Sequence, residues 1–228
     1  TMRAIYQQYR PTQFGDILGQ DDTIRVLRNQ AKHHEFHHAY LFHGPSGTGK
    51  TTTARVLSMA LNCQSMNGTG EPCGVCDTCR MTAKGAHWDC IEVDGGRFRG
   101  IDAIRDLCYK AYFSPMGQRK VYLIDECHQL TEEAWGGLLK LLEEPPPHLT
   151  IILCTTNAEK LPETVISRCE VFAFGKLEDQ SMAQKLSHIM ADMGLLANTE
   201  TLSFIMVKAD GNMRSAENIL QQLCAARG

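Results

Sequence analysis

The sequence predicts an α/β fold: a mainly parallel, doubly wound sheet of five strands, followed by a small helical domain. Three observations predict it. Five short apolar runs recur along the chain, each separated from the next by a helical pattern. The first of them leads directly into a glycine-rich loop that opens a helix. Beyond Gly175 the strand patterns stop and only helical periodicity continues.

Taken in order, a polar and aromatic lead from Tyr6 to Gln20 reads as coil, and Ile24, Leu27 and Ala31 then fall at spacings of three and four, an amphipathic helix. The strands are expected around Tyr40 to Phe42, Ile91 to Val93, Val121 to Ile124, Ile151 to Cys154 and Val171 to Phe174. Three helices follow, one on Met182, Leu186, Ile189 and Met193, one on Leu202, Ile205 and Met206, one on Ile219, Leu220 and Leu223. Their Met and Leu stripes read as plain core rather than as a cofactor site. The expected division is residues 1–178 and 179–228, with no internal repeat.

With 228 residues the chain can bury a sizeable core and carry a small second domain. Lys and Arg number 23 against 26 Asp and Glu, a net charge of -3, so any nucleic-acid contact must be local. No run approaches the roughly 18 apolar residues of a membrane span, and the start lacks a signal-peptide layout, so a soluble, cytoplasmic protein is expected. Thr1 ahead of Met2 reads as a residue added at cloning.

After the first strand comes Gly44-Pro45-Ser46-Gly47-Thr48-Gly49-Lys50-Thr51, a full G-x-x-x-x-G-K-[ST] motif, with Thr52 continuing into the helix. Its glycines let successive N–H groups face one concavity at a helix N-terminus, which holds phosphates. Lys50 is expected at the β- and γ-phosphates of ATP and Thr51 on Mg²⁺. Val121 to Ile124 then end in Asp125 and Glu126, carboxylates at the C-terminal edge of a parallel strand. Asp125 is expected to hold Mg²⁺ and Glu126 to deprotonate the attacking water.

Cys63, Cys73, Cys76 and Cys79 lie on a stretch rich in glycine and polar residues and can close one tetrahedral all-thiolate site, for which zinc in a structural role is the natural occupant. Disulfides and free thiols are the alternatives, the first disfavoured in a reducing compartment. Cys90, Cys108, Cys127, Cys154, Cys169 and Cys224 read as small buried residues. His33, His34, His37 and His38 read as a solvated helix end and loop rather than as a metal site.

Tyr9-Arg10-Pro11, Phe14, Gly19-Gln20, the phosphate loop, the four cysteines, Asp125-Glu126, Leu142-Glu143-Glu144-Pro145-Pro146 and Ser167-Arg168-Cys169 together resemble the gamma/tau family of the bacterial DNA polymerase III clamp loader. The likeness runs from about Tyr6 to Arg214. It implies an AAA+ module with a helical lid, working in a ring of delta, delta-prime and further gamma/tau subunits that places a sliding clamp on primer-template DNA. It further implies that Arg168 is an arginine finger for a neighbour's ATP. Thr156 or Asn157 is similar to the first sensor, Arg214 to the second, and the Tyr9-Arg10-Pro11 segment to the part packing over adenine. A helical collar would follow in the family, and this chain ends before it.

Two departures stand out. Asp94-Gly95-Gly96-Arg97-Phe98-Arg99-Gly100 replaces the small residues usual after the second strand, and its Arg97 and Arg99 are candidates for backbone contacts to DNA or for plain solvated arginines. Gly136 and Gly137 stand inside the helix from Glu132 to Leu142, where each costs about 1 kcal/mol relative to alanine. Three functions are compatible with these residues. A clamp-loader ATPase motor comes first, a nucleotide-binding scaffold resembling the delta-prime stator second, and another AAA+ remodeller such as a Holliday-junction motor third. The intact Lys50, Thr51, Asp125 and Glu126 speak against the second, the four cysteines and Ser167-Arg168-Cys169 against the third.

Overall fold

Alternation of side chains along each strand explains why helices cover both faces of the sheet. A computed structural model of the chain describes residues 4–66, 68–98 and 100–225. In chain order these form α1 (Ile5–Gln8), a 3₁₀ turn (Phe14–Asp16), α2 (Asp21–His33), β1 (Ala39–His43), α3 (Lys50–Asn62), α4 (Asp77–Ala83), β2 (Cys90–Asp94), α5 (Ile101–Ala111) and β3 (Lys120–Asp125). After a 3₁₀ turn at Cys127–Gln129 come α6 (Glu132–Glu143), β4 (Leu149–Thr155), α7 (Glu163–Ile166), β5 (Glu170–Ala173), α8 (Asp179–Asp192), α9 (Thr199–Ala209) and α10 (Met213–Ala225). All five expected strands form, and the lead expected as coil carries α1 and a 3₁₀ turn.

The strands pair in parallel in the order β2-β3-β4-β1-β5. Tyr40 and Phe42 of β1, Val121 and Leu123 of β3, and Ile152 and Cys154 of β4 point to one face, against Leu27, Ala54, Leu57 and Leu61 of α2 and α3. Ala39, Leu41, Tyr122, Ile124, Ile151 and Leu153 point to the other, against Ile104, Leu107, Leu138 and Leu142 of α5 and α6. The loop after β1 therefore leaves the middle of the sheet, flanked by the C-terminal ends of β4 and β5, where doubly wound sheets bind ligands.

The last three helices gather a third core of their own around Met182, Leu186, Ile189, Ile205, Met206, Ala216 and Leu220, which Ile5 joins from α1. Gly137 lets α6 lie close to α5, since a Cβ there would meet Ile104 Cγ2 at 3.3 Å and Ile101 Cδ1 at 3.5 Å. Gly136 faces open space, and nothing in the structure explains it. No helix among the described residues is long and apolar enough to cross a membrane.

The histidines expected in solvent divide. His34 ends α2 in a left-handed conformation at φ 57°. His37 and His38 instead pack with ring centroids 4.4 Å apart, His37 Nδ1 lies 2.8 Å from the Ala39 carbonyl, and His38 Nε2 is buried without a partner among the described residues. The short link into β1 draws them against the sheet rim.

Candidate functional site

The loop between β1 and α3 is shaped by two glycines. Gly44, at φ +140°, has no room for a Cβ because the Phe174 carbonyl occupies that place. Gly47, at φ +72°, is pressed by the Asn212 side chain, and its carbonyl accepts the Met213 N–H at 3.2 Å. The helical unit thus sits directly on the phosphate loop. Both contacts exclude an L side chain, which accounts for glycine at these positions.

Lys50 is buried at the start of α3 and its Nζ donates to the carbonyls of Gly44 at 2.8 Å and Pro45 at 2.7 Å. Burial pushes its pKa down, against the opposing pull of Cys154, Glu126 and Asp125. The Thr51 hydroxyl donates to Asp125 Oδ2 at 2.7 Å. Burial raises the Asp125 pKa, and the Thr51 hydroxyl and the Glu126 N–H counter it. A hydroxyl and a carboxylate meeting beside a phosphate cradle are the hard oxygen donors that Mg²⁺ takes, so these residues fit that ion.

Glu126 follows β3 in left-handed backbone at φ 48°, uncommon for a side chain of this type, and so turns away from the strand direction. The Thr156 hydroxyl donates to its Oε2 at 3.1 Å. Ser46 to Thr52, Asp125, Glu126, Arg10, Pro11 and Arg214 line one cleft, together with Tyr6, Ile17, Leu18, Leu177, Lys185, Met213 and Glu217. Gly44 and Pro45 stand behind it as acceptors for Lys50.

Not every expected residue reaches this cleft. Tyr9 packs on the core of the helical unit, and it is Tyr6, with Arg214 Cζ 5.9 Å above its ring, that lines the cleft. Tyr6 lies within α1, whereas Tyr9 follows its last residue, where the backbone leaves the helix. Asn157 turns its amide to within 3.5 Å of His128 Nε2 rather than into the cleft. Arg97 follows β2 on the same edge of the sheet as the phosphate loop; its side chain is exposed, with Nε 3.8 Å from Asp94 Oδ2. Arg99 lies outside the described residues.

Arg168 stands at the far end of the sheet. It lines a second cleft with His37, His38, Leu142, Glu143 and Glu170, at the N-terminal ends of β1 and β5. The five residues of β1 separate that edge from the phosphate loop by about 16 Å. Arg168 donates to Glu143 Oε1 at 2.7 Å and to the Thr164 carbonyl at 2.6 Å.

Cys63, Cys73, Cys76 and Cys79 converge, their sulfurs all within 4.8 Å of one another. Zn–S bonds of about 2.3 Å in a tetrahedron place sulfurs about 3.8 Å apart, and Cys73 Sγ lies 4.0 Å from Cys79 Sγ. Cys73 N–H donates to Cys63 Sγ and Cys76 N–H to Cys73 Sγ, both at 3.3 Å, and hydrogen bonds of this kind favour thiolates. The donor set fits a structural zinc ion. Among the other six cysteines, Cys127 and Cys154 are fully buried in the core and the rest partly so.

Sequence reasoning missed Tyr6, Lys185, Glu217 and His128 as site residues. A motif spacing marks none of them; they join the site only through tertiary contacts.

Comparison with solved structures supplies the class. The Holliday junction branch migration motor RuvB of Thermotoga maritima superposes with a TM-score of 0.69 at 17% identity, covering 93% of this chain and 64% of that one. With the phosphate loop after β1 and the carboxylate pair after β3, that shared architecture makes this a P-loop nucleotide-binding module of the AAA+ fold. The family is narrower. A model described as DNA polymerase III, delta subunit, matches residues 19–178, and the chain belongs to this family of DNA polymerase III subunits. DNA polymerase III subunit tau of Bacillus subtilis is 40% identical over 99% of this chain and 40% of its own length. Protein STICHEL-like 1 of Arabidopsis thaliana is 37% identical over 98% of this chain and 20% of its own. The chain therefore spans well under half the length of these two relatives.

Proposed function

We propose that the chain is the ATPase motor part of a replicative clamp-loader subunit, coupling ATP binding and hydrolysis to the placing of a sliding clamp on primer-template DNA. The observation that carries this is the convergence of Lys50, Thr51, Asp125 and Glu126 in one cleft. Lys50 leaves the Gly44 and Pro45 carbonyls for the β- and γ-phosphates, Thr51 and Asp125 hold Mg²⁺, and Glu126 takes a proton from the attacking water. Arg10, Pro11 and Tyr6 enclose the base, Arg214 reports nucleotide to the helical lid of residues 179–228, and Thr156 and Asn157 relay the state of Glu126.

Arg168 acts in trans. At the opposite edge of the sheet it is too far from its own phosphate loop, so it offsets transition-state charge on the ATP of a neighbouring delta, delta-prime or gamma/tau subunit. Arg97 and Arg99 touch DNA phosphates, and the four cysteines hold a structural zinc ion in the insert at 63–79. The protein works in the cytoplasm, at the replisome.

The test is ATP turnover and ATP binding of wild-type and Arg168→Ala chains reconstituted with partner subunits, clamp and primed DNA. Retained binding with lost DNA-stimulated turnover supports the motor. Unchanged turnover without Arg168 leaves a nucleotide-sensing scaffold instead.

A further inference from the structure

Behind the Asp125-Glu126 pair lies a polar cluster built around His128. The left-handed backbone at Glu126 starts a 3₁₀ turn, closed by Gln129 N–H to the Glu126 carbonyl at 3.0 Å and anchored by the buried Cys127. That turn swings the His128 ring back under the carboxylate. Its Nδ1 lies 3.3 Å from Glu126 Oε2 and 3.0 Å from Thr155 Oγ1, and its Nε2 faces the Asn157 amide nitrogen at 3.5 Å. Thr155 is itself buried at the end of β4, and its hydroxyl oxygen accepts the Asn157 N–H at 3.0 Å.

Donor and acceptor bookkeeping assigns the tautomer. A carboxylate oxygen only accepts, so a bare Nδ1 beside Oε2 would set two lone pairs against each other. The amide nitrogen of Asn157 only donates, so Nε2 is the acceptor. The hydrogen therefore sits on Nδ1. Oε2 then accepts from the Thr156 hydroxyl at 3.1 Å and lies 3.3 Å from His128 Nδ1, whose hydrogen bond is with Thr155 Oγ1 at 3.0 Å, while Oε1 has no partner among the described residues. One oxygen is held and the other is left to take a proton.

We propose that His128 is a positioning residue for Glu126: held by Thr155 and Asn157, its ring sets the positive Nδ1–H edge beside Oε2 and favours the carboxylate rotamer that presents Oε1 to the attacking water. It does not line the cleft, and acts by geometry on the base. The inference rests on the proposed ATPase reading of Glu126. It also gives Asn157 a concrete part, as the group that sets the tautomer of the histidine.

The experiment measures ATP affinity, KM and kcat for wild type, His128→Leu, His128→Asn and Glu126→Gln, each assembled with partner subunits, clamp and primed DNA. His128→Leu fills the space without a donor, and His128→Asn restores an N–H near the position of Nδ1. Expected are a loss of roughly tenfold or more in kcat for His128→Leu with ATP affinity and KM little changed, and recovery of most of it in His128→Asn. Nitrogen-15 shifts of the imidazole are expected to report the Nδ1–H tautomer in wild type. Wild-type kcat in His128→Leu, no recovery in His128→Asn, or an Nε2–H tautomer overturns the inference alone. If Glu126→Gln turns over as fast as wild type, the ATPase reading falls and takes this inference with it.

Discussion

The guanidinium of Arg168 rests against the Glu143 carboxylate at 2.7 Å, across the far rim of the sheet from the phosphate loop of its own chain. Both side chains are partly exposed, so the pair is worth little to folding, at most about 1 kcal/mol. Its effect lies in aim: with the Thr164 carbonyl also accepting at 2.6 Å, the guanidinium is held in one direction. Glu143→Gln should change the urea midpoint little and leave ATP binding by the isolated chain intact. Equilibrium unfolding and nucleotide titration check both, and a loss of nucleotide affinity would mean that the two edges of the sheet are coupled.

Lys50 donates its ammonium to two loop carbonyls. Lys50→Ala should therefore leave the fold intact while removing a charge-assisted contact of about 1.5–3 kcal/mol to bound ATP, roughly a 10- to 150-fold loss of affinity. Calorimetry with a non-hydrolysable ATP analogue measures it.

Much of this could be read from residue order, because the informative signals are local. Period-two and period-three-to-four patterns gave the strands and helices, and Gly44 to Thr51 needs only its flanking strand and helix to be understood. What was not legible depends on residues distant in sequence. Gly137 makes sense only beside Ile104, which approaches it from α5. The exchange of Tyr9 for Tyr6 depends on how the one-turn α1 and the residue that follows it meet the core of α8 to α10, and four residues give no periodicity to decide that. His128 sits three positions after Asp125 on a stretch without any repeat, and only the left-handed backbone of Glu126 brings it under the carboxylate.

The two glycines of α6 should answer differently to alanine. At Gly136 a Cβ meets nothing, so Gly136→Ala should stabilise the fold by about 0.5–1 kcal/mol. At Gly137 the gain in helix propensity is opposed by contacts at 3.3 and 3.5 Å on Ile104 and Ile101, so Gly137→Ala should gain less or lose stability. Denaturant unfolding of the two variants separates them.

Acid should loosen the rim near Arg168. Burial, and then the charge of His37, hold the His38 pKa below its ordinary 6.5. Burial likewise lowers His87. In the unfolded chain both take up a proton at higher pH than in the fold, so unfolding binds protons, and stability is lost as pH falls below 6.5. His38→Asn should flatten that part of the stability profile, measured by thermal melts from about pH 7.5 to 5.5.

Removing a metal held by the four cysteines should reach the cleft through Glu71. This residue sits in the cysteine loop, and its carboxylate accepts the N–H groups of Phe14 at 2.7 Å and Gly15 at 3.2 Å, with Arg28 at 3.5 Å beside it. Phe14 is fully buried in the sheet core, and the chain that follows it carries Ile17 and Leu18 to the cleft. A metal that fixes Cys63, Cys73, Cys76 and Cys79 also fixes Glu71 between Gly70 and Pro72, and so the 3₁₀ turn at Phe14–Asp16. Chelation should lower the melting temperature by about 5 °C or more, since metal-binding free energy in such sites is folding free energy. It should also weaken ATP binding several-fold. Glu71→Gln, which keeps the metal but removes the charge from the carboxylate, should reproduce the weaker binding and little of the melting change. Metal content by elemental analysis, melting curves and nucleotide titration on the same samples decide the matter: a chelated chain that melts early yet binds ATP as before would confine the cysteines to holding their own loop.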